Sequence, residues 1–205
     1  AKTELIEALP IDGAAILNGD DERVLAMQSH TRARVVRYGL NPQCDVRADS
    51  IASFGLDGIE FTLHHGGEHL RIRSPLIGRH SVYTALAATA VGLVEGLSWD
   101  KIANGLQDIS AQLRLRVAET ASGATILDDT YNSSPASALA ALDVLDDLSG
   151  RKIAVLGDML ELGAEELRGH QVVGARAAQI VDALIAVGNR GKWIGEAARD
   201  AGLAE

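Results

Sequence analysis

The sequence of 205 residues is poor in cysteine and aromatic side chains, and acidic residues outnumber basic ones. Cys44 is the only cysteine, so no disulfide can form within the chain, which fits a reducing compartment. Aromatic residues make up 3% of the sequence, and the formal net charge is −9. Nucleic-acid surfaces need stacking side chains and basic faces. We therefore expect no nucleic acid among the partners.

Long apolar runs are also missing. The longest extends from Val82 to Val94, is rich in Ala, Thr and Gly, and ends at Glu95. It is too short to cross a bilayer, which takes about 20 apolar residues. The first four residues, Ala-Lys-Thr-Glu, do not resemble a signal peptide. The sequence thus predicts a cytoplasmic protein without a membrane partner, and it gives no indication of an oligomeric state.

A cluster of polar side chains stands between a predicted strand and a predicted helix. The strand is Ala124–Leu127, and Ser134 followed by Pro135 is typical of a helix cap and first turn. Residues 128–133 between them carry two carboxylates, a phenol, an amide and hydroxyl groups. In α/β folds, ligands bind where the carboxyl end of a strand and the N–H groups of a helix open onto one crevice. The alternative is a capped turn with solvated acids.

Strand and helix patterns alternate through the second half of the chain. Strands are predicted at Lys152–Leu156 and Ala183–Val187, and helices at about Glu165–Ile180 and Lys192–Ala201. Continuous apolar strands between amphipathic helices indicate a parallel sheet with helices on its faces. The first half is predicted to be β-rich before two helices, and the pattern changes near residue 110. We therefore expect a domain boundary at residues 110–113.

Four motifs in series resemble those of the Mur ligases of peptidoglycan synthesis. They are N-G-D-D at 18–21, G-R-H-S-V-Y-T-A-L-A-A at 78–88, D-D-T-Y-N-S-S-P at 128–135 and G-D-M-L-E-L-G at 157–163. Each motif alone is weak, but their order and spacing agree with the family along nearly the whole chain. The wording of the last two is most similar to the family member that adds D-alanyl-D-alanine.

The resemblance implies an α/β fold in two domains. Residues 1–111 would be the C-terminal portion of the central ATPase domain, with a mixed sheet and helices. Residues 112–205 would be a Rossmann-like C-terminal domain with a mostly parallel sheet. The G-x-x-G-K-[ST] loop, which holds the ATP phosphates in Mur ligases, occurs nowhere in the sequence. We therefore expect a fragment, truncated at both ends, that is inactive alone and contains no catalytic residue.

The resemblance also implies residues that contact the nucleotide. Asp129 matches the family acid that contacts the ATP ribose, and a carboxylate suits two hydroxyl donors. Arg114 falls near the family arginine that reaches the nucleotide, with a solvated strand arginine as the alternative. His80 matches a histidine near the adenine, and Thr84 replaces an asparagine there. ATP and Mg²⁺ are the implied cofactors, with their main ligands expected upstream.

A second implied set of residues faces the incoming substrate. Tyr131, Asn132 and Ser133 lie where the family places such groups, and we favour Asn132 over Ser133. Asp158 and Glu161 belong to the last motif, where they either orient the incoming ammonium group or cap a helix. The residues leave both possibilities open.

The histidines do not indicate a metal site. His64, His65 and His69 surround a Gly-Gly turn, but adjacent strand residues point to opposite faces. His64 and His65 are therefore poorly placed to share a metal ion. His170, in a predicted helix, either joins Asp158 and Glu161 or lies on the helix surface, and the surface is the more common position for a histidine.

The activity implied by the resemblance is amide-bond formation. An ATP-dependent ligase of this kind joins D-alanyl-D-alanine to a UDP-N-acetylmuramoyl-tripeptide. One alternative is a ligase like folylpolyglutamate synthase, which shares the architecture but would depart from the G-D-M-L-E-L-G motif. Another is a non-catalytic α/β nucleotide-binding module, which would need no phosphate loop.

Overall fold

The computed structural model describes residues 2–108 and 115–204, and the chain divides into two compact units, residues 1–111 and 112–205. The first unit is built on a five-stranded sheet. Its strands are β1 (Ala14–Asn18), β2 (Arg34–Gly39), β3 (Val46–Ser53), β4 (Ile59–His65) and β5 (Glu68–Ser74). Its α-helices are α1 (Lys2–Glu7), α2 (Glu22–Leu25), α3 (Val82–Val94) and α4 (Trp99–Gly105). Short 3₁₀ turns cover Ala26–His30, Gly55–Asp57 and Arg79–Ser81.

The sheet of the first unit is mixed, as predicted. Its strand order is β1-β2-β3-β4-β5, with β1, β2 and β3 parallel and β3, β4 and β5 antiparallel. Gly66 and Gly67 connect β4 to β5 with φ of 60° and 85°. These values require glycine-like freedom and match the twist of a tight hairpin.

Helix α3 packs on this sheet and closes the first core. Alternate residues of β4, namely Ile59, Phe61 and Leu63, are buried and belong to one cluster with Leu86 of α3. This period of two is what a half-buried strand requires. Thr89 is also buried, and its hydroxyl donates to the carbonyl of Ala85 at 2.8 Å, so no polar group is left unpaired there.

The second unit follows the predicted alternation of strands and helices. Its strands are β6 (Arg116–Glu119), β7 (Thr125–Asp128), β8 (Ile153–Leu156) and β9 (Ala183–Ala186). Its α-helices are α5 (Pro135–Asp146), α6 (Glu166–Ala178) and α7 (Gly191–Asp200), with a 3₁₀ turn at Gly163–Glu165. The core combines one face of β8 and β9 with the three helices. It includes Leu142, Ala154, Val173, Ala177 and Ile194.

The α/β class is confirmed, but the strand pairing of the second unit differs in detail from the sequence expectation. Among the described residues, β6 pairs antiparallel with β7, and β8 pairs parallel with β9, in two separate sheets. Only one face of the parallel pair is covered there. Ile153, Val155 and Ile185 on the other face are half exposed or more. The continuous apolar sequence of β8 and β9 predicted burial on both faces, whereas the side chains on one face are exposed.

Candidate functional site

The polar cluster after β7 lies at a strand-to-helix junction, as the sequence predicts. Strand β7 ends at Asp128, and α5 begins at Pro135. Ser134 is the N-cap of α5, and its hydroxyl accepts from the backbone N–H of Ser137. The Ser137 hydroxyl in turn accepts from the N–H of Ser134 at 2.9 Å, which completes a capping box. The helix start is thus fixed by its own residues.

Asp128 braces the turn that follows β7. One of its carboxylate oxygens accepts from the backbone N–H of Thr130 at 3.1 Å and from the Thr130 hydroxyl at 2.7 Å. These donors stabilise the ionised form, so the Thr130 hydroxyl and then its N–H hold the pKa of Asp128 below its ordinary value. Asp128 therefore stabilises the turn rather than leaving its carboxylate open to a ligand.

Asp129 differs from its neighbour, because its carboxylate has no partner among residues 2–108 and 115–204. The residue is half-buried, and no hydrogen bond or ion pair engages its side chain within those ranges. A carboxylate has capacity for several donors. The site therefore offers an acceptor at the carboxyl end of β7.

Residues 131–133 complete the exposed edge of this junction. The Tyr131 side chain is 79% exposed. Asn132 is exposed, and its side-chain oxygen accepts from the backbone N–H of Ser133 at 2.9 Å. This contact orients the Asn132 amide within the loop. The three side chains predicted to face substrate thus share one solvent-exposed turn.

The second junction follows β8 and is organised by Asp158. One carboxylate oxygen accepts from the backbone N–H groups of Arg190 at 2.8 Å and Gly191 at 2.7 Å. Asp158 therefore caps the N-terminus of α7, a helix that begins 33 residues later in sequence. The Gly191 N–H is the main cause that lowers the pKa of Asp158. One oxygen of Asp158 thus has a capping role, and the orientation of the incoming ammonium group stays a prediction.

Glu161 occupies the strained position of this second loop. Its φ is +62°, in the left-handed region that side chains other than Gly rarely adopt. The residue is exposed, and its carboxylate has no partner in the described part of the chain. Strained backbone of this kind costs on the order of 1–3 kcal/mol. The loop therefore presents a carboxylate from a conformation that folding alone does not favour.

His170 is not on the helix surface, which corrects the sequence expectation. Its side chain in α6 is 0% exposed. The Nε2 atom accepts from the backbone N–H of Met159 at 2.9 Å, and the Nδ1 atom lies 2.7 Å from the carbonyl oxygen of Glu166. The expectation was wrong because the ring is buried, with Nε2 paired to Met159 from another element and Nδ1 to the carbonyl of Glu166 in its own helix. Helical periodicity does not contain that information.

In the first unit, His80 and Thr84 occupy one exposed face at the start of α3. His80 lies in the 3₁₀ turn that precedes α3, and Thr84 lies in the first turn of α3. Their spacing of four residues places them on the same side of the helix. Ser81, which also replaces a family asparagine, donates its hydroxyl to the carbonyl of Ile77 at 2.6 Å. Ser81 is therefore occupied by a local contact.

Asp20 and Asp21 of the N-G-D-D motif have different contacts. Asp21 is the N-cap of α2. Asp20 instead accepts from the N–H groups of Leu40 and Asn41 and from the hydroxyl of Tyr83. The pKa of Tyr83 is raised to about 12, mainly by burial and then by the hydrogen bond to Asp20. The signal available in the sequence was an acid directly after a parallel strand.

The other candidate residues are Arg114, His64 and His65. Arg114 lies outside the described residues. His64 Nε2 lies 2.9 Å from a carboxylate oxygen of Asp49, while His65 Nδ1 lies 2.8 Å from the carbonyl of Asp45. Within the described ranges, no group of three His, Cys, Asp or Glu side chains is placed to hold a metal ion. Those ranges also contain no helix long and apolar enough to cross a membrane.

Nearly the whole chain matches two described family domains. Residues 1–92 match the Mur ligase middle domain, and residues 113–205 match the domain described as Mur ligase, glutamate ligase domain. Together these matches confirm the resemblance that the four motifs predict.

Two curated relatives carry the same name. The UDP-N-acetylmuramoyl-tripeptide–D-alanyl-D-alanine ligase of Mycobacterium tuberculosis (strain ATCC 25618 / H37Rv) is 36% identical over 196 residues, which cover 91% of this chain and 38% of the relative. The ligase of the same name from Escherichia coli (strain K12) is 37% identical over 201 residues, or 96% of this chain and 44% of the relative. The chain thus spans about two fifths of the length of these relatives.

Solved structures agree with this result. The MurF of Acinetobacter baumannii superposes with a TM-score of 0.86 at 31% identity, covering 97% of this chain and 44% of that one. A MurF ligase from Thermotoga maritima in complex with ADP gives a TM-score of 0.80 at 20% identity, over 94% of this chain and 44% of that one, and shows the shared fold. The chain belongs to the Mur ligase family, of which it carries sequence from the middle and glutamate ligase domains.

Proposed function

We propose that the chain is part of an ATP-dependent ligase that joins D-alanyl-D-alanine to a UDP-N-acetylmuramoyl-tripeptide in peptidoglycan synthesis. The observation that carries the proposal is the 36–37% identity to ligases of that name over more than nine tenths of the chain. The intact G-D-M-L-E-L-G motif at residues 157–163 supports the same choice over a folylpolyglutamate synthase-like ligase. Nucleotide-linked substrates suit a cytoplasmic protein.

On the nucleotide side, Asp129 is the best supported contact. Its half-buried carboxylate is not engaged by any described residue, and a ribose supplies two hydroxyl donors. His80 and Thr84 share the exposed face at the start of α3, where a purine edge can meet polar side chains. Arg114 remains assigned to the nucleotide from the sequence alone. We propose these four residues as contacts to ATP.

ATP supplies the phosphoryl group that activates the tripeptide carboxylate. Mg²⁺ is expected to accompany the phosphates, but the described residues contain no group of three side chains that could hold it. The proposal therefore assigns no metal ligand to this part of the chain. This part of the chain binds and orients the reactants, and orientation is a large source of rate enhancement in such reactions.

On the substrate side, we assign the D-alanyl-D-alanine dipeptide to two loops, residues 129–134 and 157–163. The ammonium group of the dipeptide needs anionic or carbonyl acceptors. The Glu161 carboxylate and the second oxygen of Asp158 accept no hydrogen bond from the described residues. Asn132, with Tyr131 and Ser133 beside it, supplies amide, phenol and hydroxyl groups for the dipeptide backbone.

A chimaera tests the function. In it, this chain replaces the matching region of the Escherichia coli ligase, to which it is 37% identical. We expect ATP-dependent addition of D-alanyl-D-alanine to the UDP-tripeptide by the chimaera. The chain alone should show no turnover, because its sequence contains no phosphate loop. The unmodified Escherichia coli enzyme is the control.

Three other outcomes would contradict the proposal. A folded chimaera that accepts L-glutamate and rejects the dipeptide would favour the folylpolyglutamate-like alternative. A folded chimaera that binds nucleotide without turnover would favour a binding module. Measurable ligation by the isolated chain would show that the phosphate loop is dispensable.

A further inference from the structure

The loop that follows β8 is held by a buried histidine from a different element. His170 Nε2 accepts from the N–H of Met159 at 2.9 Å, and both side chains are at most 1% exposed. A nitrogen that accepts from an amide carries no proton, so the Nδ1 atom carries it. Nδ1–H then donates to the carbonyl of Glu166 at 2.7 Å. The two contacts define a neutral ring with one tautomer.

The neighbourhood of the ring connects both candidate substrate loops. Gly169, directly before His170, is in such close contact with the start of α5 that a Cβ there would lie 2.7 Å from Cγ of Pro135. The same Cβ would lie 3.1 Å from Cδ1 of Leu162 in the second loop. One turn of α6 therefore contacts the helix that ends the first loop and holds the second loop through Met159.

Other groups keep the ring in place. Trp193 of α7 meets it edge-on, with ring centroids 5.6 Å apart and planes at 78°. The charged groups near the ring are Asp158, Arg190 and Glu166. The charge of Arg190 helps to lower the pKa of Asp158, and Arg190 forms an ion pair with Glu166. Asp158 is already fixed to the N-terminus of α7. Residues 158 and 159 are thus tied to α7 and α6, respectively.

We propose that His170 is a positioning residue that fixes the 157–163 loop for the incoming dipeptide through the Met159 N–H. The inference rests on the proposed function for its substrate, but the ordering of the loop stands on geometry alone. Glu161 lies two residues beyond Met159 in sequence, and its backbone is in the left-handed region. Release of Met159 would let that backbone relax and move the carboxylate.

A matched pair of variants separates positioning from packing. In His170→Gln, the side-chain oxygen stands near the Nε2 position and can accept from Met159. In His170→Asn, the amide stands near the Nδ1 position and can donate to Glu166, but it does not reach Met159. Both variants replace the ring with a smaller amide. They differ mainly in which of the two hydrogen bonds they preserve.

The first measurement is amide hydrogen exchange of residues 159–163 in the 205-residue chain. We expect His170→Asn to exchange about tenfold faster than the native chain, because the Met159 N–H loses its buried acceptor. We expect His170→Gln, which keeps an acceptor there, to stay within about threefold. Nitrogen-15 spectra of the native imidazole should show the proton on Nδ1. Equal exchange in the Asn variant and the native chain, or a proton on Nε2, would overturn the inference.

The second measurement is a titration with D-alanyl-D-alanine, followed through the same amide signals. We expect a dissociation constant about tenfold higher for His170→Asn and near the native value for His170→Gln. If both variants bind like the native chain, the positioning role is refuted. If the native chain itself does not bind the dipeptide, the proposed function loses its substrate, while the exchange data still decide whether His170 orders the loop.

Discussion

Asp128 and Asp129 are adjacent in sequence, yet Asp128 accepts two hydrogen bonds from Thr130, whereas Asp129 accepts none from the described residues. The two carboxylates therefore separate a structural role from the nucleotide-binding role that we propose for Asp129, within one turn. Because their position in the chain differs by a single residue, each serves as the control for the other.

We expect Asp129→Asn to weaken nucleotide-dependent activity of the chimaera at least about tenfold, since charged hydrogen bonds are worth on the order of 1.5–3 kcal/mol. The unfolding free energy of the chain should change by less than about 0.5 kcal/mol. Asp128→Asn should lower the midpoint temperature of unfolding and leave the nucleotide affinity near the native value. Steady-state kinetics and thermal unfolding measure the two effects. Equal loss of stability in both variants would contradict the separation.

Ser134→Ala should destabilise the second unit by about 1 kcal/mol, because the N-cap and its reciprocal bond with Ser137 are lost. Urea unfolding of the chain measures this change. Ser133→Ala, one residue earlier and outside the cap, should cost less than about 0.5 kcal/mol. Similar costs in the two variants would mean that the capping box does not determine the start of α5.

The contribution of Asp158 should depend on acid pH. Its pKa in the folded chain lies below the ordinary value of 3.8, so its stabilising effect is complete above that value. The effect is lost as the pH falls through the folded-state pKa. We therefore expect Asp158→Asn to be less stable than the native chain at neutral pH, with a difference that shrinks below about pH 4.

Thermal unfolding at stepped pH measures that difference. Glu196→Gln is the matched control, because it removes one negative charge from an exposed position of α7 that makes no cap contact with the described residues. Its difference from the native chain should stay nearly constant with pH. A constant difference for Asp158→Asn as well would refute the capping account.

The stabilising effect of Tyr83 should be lost as the pH rises, whereas that of Asp158 is lost as the pH falls. Its pKa is raised from 10.0 to about 12, mainly by burial and then by the bond to Asp20. The bond therefore stabilises the fold below about pH 10 and is lost as the pH rises towards 12. Tyr83→Phe should be less stable by about 0.5–1.5 kcal/mol at neutral pH. Its difference from the native chain should narrow above pH 10.0, as unfolding at stepped pH would show. A difference that does not change with pH would contradict this.

Gly174 is a position in α6 where a single methyl group should strongly destabilise the fold. A Cβ there would lie 2.2 Å from the backbone carbonyl oxygen of Ile194, so α6 and α7 would have to separate. We expect Gly174→Ala to cost on the order of 3 kcal/mol or more, measured by urea unfolding. Gly105→Ala in α4 is the control, since a Cβ there meets nothing within 4 Å. That variant should be neutral or gain up to about 1 kcal/mol.

Local patterns predicted the elements and the first junction well. The Ser134–Pro135 cap, the glycine turn between β4 and β5 and the helix of Ala138 and Leu142 all depend on neighbours in sequence. Short-range chemistry of this kind is visible without coordinates. The bounds of β8 and β9 agree with the predicted strands at Lys152–Leu156 and Ala183–Val187 to within one residue.

Contacts across the fold could not be predicted in the same way. Asp158 caps a helix that starts 33 residues later, and His170 reaches back 11 residues to Met159. Asp20 meets Tyr83 over 63 residues. A periodic pattern assigns a residue to a face of its own element, but it does not identify which foreign backbone group will meet it. The roles of these three side chains therefore depended on tertiary structure.

The left-handed backbone of Glu161 sets two selective pressures against each other. Glycine at this position would adopt the same φ without steric penalty, so Glu161→Gly should fold more stably while losing a carboxylate. A library screened only for heat resistance would accumulate glycine or asparagine here, and one screened for dipeptide turnover would reject them. Selection for stability alone would therefore remove a carboxylate that we propose binds the dipeptide.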